Sequence, residues 1–197
     1  MKKLLTLYLE INEFNYIFFV GESDQHNSFK IDYKLEVPIE GIDINGIFDL
    51  EKASNTIKEN IYKIEKKFNY TFKEIVLILD TFNLSFINLS GFKKLNGSQI
   101  LRENITYILN TLKSCVGENE ERKKILHIFN SKFCLDDKII ENLPIGLFGD
   151  FYSHELSFSL IDLNDHKNLI NIFDKCNLSI KKIFIKSFVK GVFITEN

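Results

Sequence analysis

The sequence is poor in several residue types, and each shortage excludes something. Its 197 residues include three cysteines, two prolines, one alanine (Ala53) and two arginines (Arg102 and Arg122). Cys115, Cys134 and Cys176 are odd in number and far apart, so they suit neither a disulfide framework nor a metal-ligand spacing. A reduced, cytosolic setting fits them. No apolar run approaches the ~18 residues of a membrane-spanning helix. Met1-Lys2-Lys3 before Leu4-Leu5 faintly echoes a signal peptide, but Glu10 and Asn12 interrupt the apolar stretch and no small-residue cleavage site follows. A first β-strand is the better reading. Charge of one sign is lacking too: the net charge is −2 and the pI is about 6.1. That balance gives no general affinity for nucleic acid or anionic lipid. The bias toward Ile, Lys, Asn and Phe fits an AT-rich gene and weakens any argument from a single Lys or Asn.

Chemical motifs are scarce. His26, His127, His154 and His166 have no metal-ligand spacing, and His127 on an apolar strand reads as a core histidine. His154 and Glu155 are adjacent on a strand and point to opposite faces, so they cannot act as one acid–base unit. Asp136-Asp137 reads as an exposed turn. There is no Walker loop and no GxSxG elbow. Neither internal repeats nor low-complexity segments occur.

What remains is a chain that is 45% hydrophobic, enough for a sizeable core. Leu4–Ile11 and Tyr16–Val20 read as strands joined by the short turn Asn12-Glu13-Phe14-Asn15. Phe29, Ile31, Tyr33, Leu35 and Val37 alternate with Lys30, Asp32, Lys34 and Glu36, the pattern of a half-buried strand that Pro38 ends. The apolar stripe Leu50, Ala53, Ile57, Ile61, Ile64 and Phe68 predicts a helix over Asp49–Phe68, with Asp49 as N-cap. Glu74–Leu79 is almost wholly apolar, as in a strand buried on both faces. Asp80 and Thr81 stand at its carboxyl end, where open α/β sheets bind ligands, or where a turn simply begins.

The following stretch reads as a separate module. Leu84–Leu89 is a strand, and Ser98–Cys115 a helix with Leu101, Ile105, Ile108, Leu112 and Cys115 inward. Val116–Arg122 reads as a charged loop. Long strands at Lys124–Leu135 and Phe151–Asp162 flank a shaped loop, Leu143-Pro144-Ile145-Gly146-Leu147-Phe148-Gly149. A short helix then starts at Asn164 or Asp165, with Leu169, Ile170 and Phe173 inward, and ends at Cys176-Asn177-Leu178. Ile180–Ile185 is a further strand, and another element begins at Phe188. The class is mixed α+β: a lobe whose sheet combines Leu4–Ile11, Tyr16–Val20, Phe29–Val37, Glu74–Leu79 and Ile180–Ile185, interrupted by a strand-helix-strand-strand insertion.

Three passages carry a resemblance to a known family. Leu9-Glu10-Ile11 followed after four residues by Ile17-Phe18-Phe19-Val20-Gly21-Glu22 looks like an opening hairpin. Gly41-Ile42-Asp43-Ile44-Asn45-Gly46-Ile47-Phe48-Asp49-Leu50-Glu51 looks like a loop leading into a first long helix. Ile125-Leu126-His127-Ile128 with Pro144–Gly149 looks like the strand and loop of an inserted subdomain. In order and spacing they resemble FtsA, a bacterial cell-division protein and actin-like ATPase. The resemblance implies an actin-like (ribonuclease H-like) first lobe over 1–81 and 164–197, with the insertion over 82–163 and the second lobe absent. It implies ATP and magnesium as family cofactors, and division proteins including FtsZ as partners. Self-association through the insertion, and a place at the cytoplasmic face of the inner membrane at the division site, also follow. Membrane contact would be indirect for this chain, and no nucleic-acid partner is expected.

The chain also departs from the family pattern. Where the first phosphate loop has Gly and Thr or Ser after an acidic residue, Glu10 is followed by Asn12, Glu13 and Phe14, and Thr81 stands where Gly is usual. A carboxylate and a phenyl ring oppose phosphate approach. The expectation is therefore a non-catalytic interaction protein with no cofactor of its own, working through Leu147, Phe148, Phe151 and Tyr152 as a partner surface. The alternatives are a nucleotide-binding half-molecule completed by a second lobe, and a type IV pilus assembly protein of the PilM kind.

Overall fold

The computed structural model describes residues 5–23, 29–80, 82 and 84–196. Its first elements are β1 (Leu5–Ile11), β2 (Asn15–Ser23), β3 (Phe29–Pro38), β4 (Ile42–Asp43), β5 (Gly46–Ile47), α1 (Leu50–Phe68) and β6 (Glu74–Leu79). There follow β7 (Ser85–Lys94), α2 (Arg102–Asn119), β8 (Lys123–Leu135), β9 (Lys138–Ile140) and β10 (Phe151–Asp162). The chain closes with α3 (Leu163–Lys175), β11 (Ser179–Ile185) and α4 (Lys186–Glu196). Two compact units result: unit 1 takes in 1–83 and 164–197, and unit 2 takes in Leu84–Leu163.

In unit 1, five described strands form one sheet in the order β11-β6-β1-β2-β3. β6 runs parallel to both β1 and β11, while β1, β2 and β3 form an antiparallel meander. The pairing follows burial. Leu7, Leu9 and Ile11 stand opposite Val20, Phe18 and Tyr16, and all six side chains are fully buried. β6 buries Ile75, Leu77 and Leu79 on one face and Val76 on the other, as its apolar run requires. α1 turns Ala53, Ile57, Ile61 and Ile64 inward. Its start is fixed by Asp49, whose carboxylate accepts the Lys52 N–H at 3.0 Å, and its end by Asn69 in the left-handed conformation. Gly41 makes the approach to α1 possible: φ is +75°, and a Cβ there would lie 2.2 Å from the Asp49 carbonyl oxygen. In α3 the inward residues are Leu169, Ile172 and Phe173; Ile170, expected inward, is partly exposed.

Unit 2 is a four-stranded antiparallel sheet in the order β7-β10-β8-β9. Its core joins Ile108, Leu112 and Val116 of α2 to Phe133 and Leu135 of β8 and to Tyr152, Leu156, Phe158 and Leu160 of β10. α2 approaches β7 closely at Gly91, where a Cβ would stand 2.6 Å from Ile108 Cγ2. Three readings of this region need correction. The helix continues through the expected loop to Asn119, because Val116 extends the buried i, i+4 series Ile108–Leu112 by one more turn. Leu101 is the N-cap and exposed, not part of the inward stripe, and its N–H is held by Asn104 Oδ1 at 2.8 Å. Cys115 is likewise exposed. Asp136-Asp137, both at positive φ, turn β8 into the short strand β9, a strand beyond those expected from the sequence.

Candidate functional site

In unit 1 the parallel strands bring three charged side chains to one end of the sheet. Glu10 is the penultimate residue of β1. Asp80 follows β6 and prolongs its pairing, donating its N–H to the Ile11 carbonyl at 3.0 Å. Lys186 opens α4 directly after β11, whose last residue pairs with Leu79. The Lys186 ammonium lies 2.6 Å from Glu10 Oε1 and 2.8 Å from Asp80 Oδ2. Glu10 is 8% exposed. Burial pulls the Lys186 pKa down, but hydrogen bonds to Asp80 and Glu10 outweigh it and hold the group above the ordinary lysine value.

The turn beside this cluster is closed on itself. Asn12 Oδ1 accepts the backbone N–H of Phe14 at 2.9 Å and of Asn15 at 2.8 Å, and Asn12 N–H donates to the Asn15 carbonyl at 3.2 Å. Glu13 is exposed, and Phe14 projects outward, 70% exposed. A phosphate cradle needs backbone N–H groups free to face the anion. Here a carboxamide from the same turn takes two of them. A magnesium ion needs free carboxylate oxygens, and Lys186 holds one oxygen of each acid. Lys186 Nζ thus stands at the point on which the two acids converge. Thr81 lies outside the described residues.

At one end of unit 2 the loop 143–149 is fastened to 97–101 by backbone hydrogen bonds. Ile100 N–H donates to the Leu147 carbonyl at 2.8 Å, Gly146 N–H to Ile100 at 2.9 Å, Gly97 N–H to Gly149 at 3.0 Å and Gly149 N–H to Ser98 at 3.3 Å. Gln99 Nε2 adds a bond to the Gly146 carbonyl at 2.7 Å. The Asp136 carboxylate accepts the N–H groups of Asp150 and Phe151 at 2.9 and 2.8 Å, so the turn residue expected only to be exposed also anchors the loop. Leu143, Ile145, Leu147, Phe148 and Phe151 are nevertheless exposed, Phe148 by 70%. Phe151 stacks on Phe92 with ring centroids 5.3 Å apart.

Tyr152 does not belong with them. It is fully buried in the unit 2 core, and burial pushes its hydroxyl up to about 12. Phe151 faces outward and strand alternation sends the next residue in. His154, also inward, is buried with Nε2 3.0 Å from Asn130 Oδ1, and burial lowers its pKa. Sequence reasoning noted Glu10 and Asp80 separately and missed Lys186. The only available signal was a lysine directly after an apolar strand that pairs beside Glu74–Leu79.

Comparison with known proteins finds similarity to FtsA. Cell division protein FtsA of Buchnera aphidicola subsp. Schizaphis graminum is 25% identical over 194 residues, 98% of this chain and 46% of that protein. FtsA of Buchnera aphidicola subsp. Baizongia pistaciae is 27% identical over 183 residues, 91% of this chain and 42% of its own length. This chain resembles FtsA. It spans less than half the length of these curated relatives. No family model matches it. Among solved structures, a chain of the PilM-PilN type IV pilus biogenesis complex superposes with a TM-score of 0.58 at 11% identity, covering 95% of this chain and 49% of that one. The fold is actin-like.

Proposed function

We propose that this chain is an FtsA-like cell-division protein that acts through protein contacts of unit 2 and does not hydrolyse ATP. The observation that carries the reading is the loop 143–149. Its backbone is pinned by hydrogen bonds, yet it holds Leu147 and Phe148 out in solvent beside Phe151. Exposed apolar side chains on an ordered backbone lose little conformational freedom on docking, which favours a binding surface. In unit 1, the self-bonded turn at Asn12 and the paired carboxylates argue against a working phosphate site. Division proteins, FtsZ among them, and a second copy of the chain are the proposed partners. The proposed place of action is the division site at the cytoplasmic face of the inner membrane. The alternative, a nucleotide-binding half-molecule, has the fold and the strand-end acids Glu10 and Asp80 in its favour, but both acids are paired with Lys186.

The test is Leu147→Ala with Phe148→Ala, followed by circular dichroism for folding and analytical ultracentrifugation for association with itself and with FtsZ. Loss of association with an unchanged spectrum is expected. Wild-type protein that associates with neither partner contradicts the reading, as does a folded variant that associates as tightly as wild type.

A further inference from the structure

The cluster at the strand ends of unit 1 has the ligand arrangement of a small cation site, with the cation supplied by the chain. Two carboxylates on neighbouring parallel strands, Glu10 and Asp80, direct one oxygen each at a single point. Lys186 Nζ stands at that point, 2.6 and 2.8 Å from them. The side chains are only partly open to solvent: 11% exposed for Glu10, 33% for Asp80 and 23% for Lys186.

We propose that the Lys186 ammonium is a built-in cation that takes the place of a bound divalent ion. It ties the ends of β1 and β6 to the start of α4, so this end of the sheet is set with neither metal nor nucleotide. Opposite charge is needed here for a physical reason. Two carboxylates converging on one point repel each other, and an ammonium or metal ion offsets that repulsion. A lysine is covalently present at all times, so the relief does not depend on ion concentration or on a nucleotide to bring the ion. The ammonium also has three N–H donors and no acceptor, and two of those donors face the acids. The inference concerns unit 1 alone and holds whatever unit 2 docks.

Removing the ammonium while keeping both acids therefore creates an ion site. Lys186→Ala leaves two converging carboxylates and the space of a lysine side chain, room for a hard cation with water as its other ligands. The experiment titrates the full chain and this variant with Mn²⁺ by calorimetry, and records thermal unfolding with and without Mg²⁺. Wild type is expected to show no Mn²⁺ binding and no shift of the unfolding temperature with Mg²⁺. The variant is expected to melt lower than wild type and to regain part of the loss in Mg²⁺. Its Mn²⁺ dissociation constant is expected in the region of ~10⁻³ M, as for weak oxygen-ligated sites. Adding Glu10→Gln to the variant should abolish the binding. Two results overturn the proposal: a folded Lys186→Ala variant indifferent to Mn²⁺, or Mn²⁺ binding by the wild type that Asp80→Asn removes. The second needs only the wild-type fold and stands even where Lys186→Ala fails to fold.

Discussion

The strand ends of unit 1 and the loop end of unit 2 handle their surface groups in opposite ways. In unit 1 the polar groups are consumed by one another: Asn12 takes the turn amides, and Lys186 takes Glu10 and Asp80. In unit 2 the backbone is equally well satisfied, but the side chains it carries are apolar and face solvent. The first arrangement spends two of the turn's amides and one oxygen of each acid on bonds within the chain. The second leaves apolar area that burial against a partner would remove from water, at about 25 cal/mol per Å². The core of the unit 1 sheet lies at Leu7, Leu9 and Leu77, all fully buried, whereas the charged cluster stands at the strand ends.

The contrast can be broken first through the core. Phe158→Ala empties a fully buried site and should cost about 3–5 kcal/mol. Hydrogen exchange is expected to show lost protection in β7, β8 and β10 with β1 and β6 retained. Equal loss in β1 and β6 would mean that the two units open as one. Acidification is the next lever. Burial holds the folded pKa of His154 below its ordinary value of 6.5, so the neutral ring is favoured in the fold. Above pH ~6.5 folded and unfolded chains are both neutral there and the group has no effect. As pH falls below that value, the unfolded chain gains the proton first and stability declines until the folded group also titrates, by at most ~1.4 kcal/mol per pH unit. His154→Leu should flatten that contribution in denaturant melts recorded between pH 7 and pH 5. The smallest effect is expected at the α1 cap. Asp49→Ala removes the bond to Lys52 N–H and should cost about 1 kcal/mol, a fall of roughly 2–4 °C in unfolding temperature for a chain of this size.

Much of unit 1 was legible because its signals are local. The alternation in β3 and the α1 stripe from Ala53 to Ile64 each lie within one element, and so does the apolar run of β6. The five strands expected in its sheet are the five observed there. Unit 2 was read less well where local and tertiary cues disagreed. Glu118, Glu120 and Glu121 suggested a loop, whereas Val116 against the β10 core keeps the helix going. Tyr152 sits among exposed aromatics in the sequence, yet strand alternation turns it into the core. The cluster at Glu10 was half visible. Its acids stand at the ends of recognisable strands, but Lys186 is 176 positions from Glu10, and only the parallel pairing of β11 with β6 brings it there.

Calorimetric titration of the purified chain with magnesium-ATP tests the central claim most directly. A turn whose amides are already bonded and acids already paired should give no binding tighter than ~10 μM, about −7 kcal/mol. A dissociation constant below that value, abolished by Glu10→Gln, would show that the strand ends of unit 1 open to nucleotide and would contradict the account.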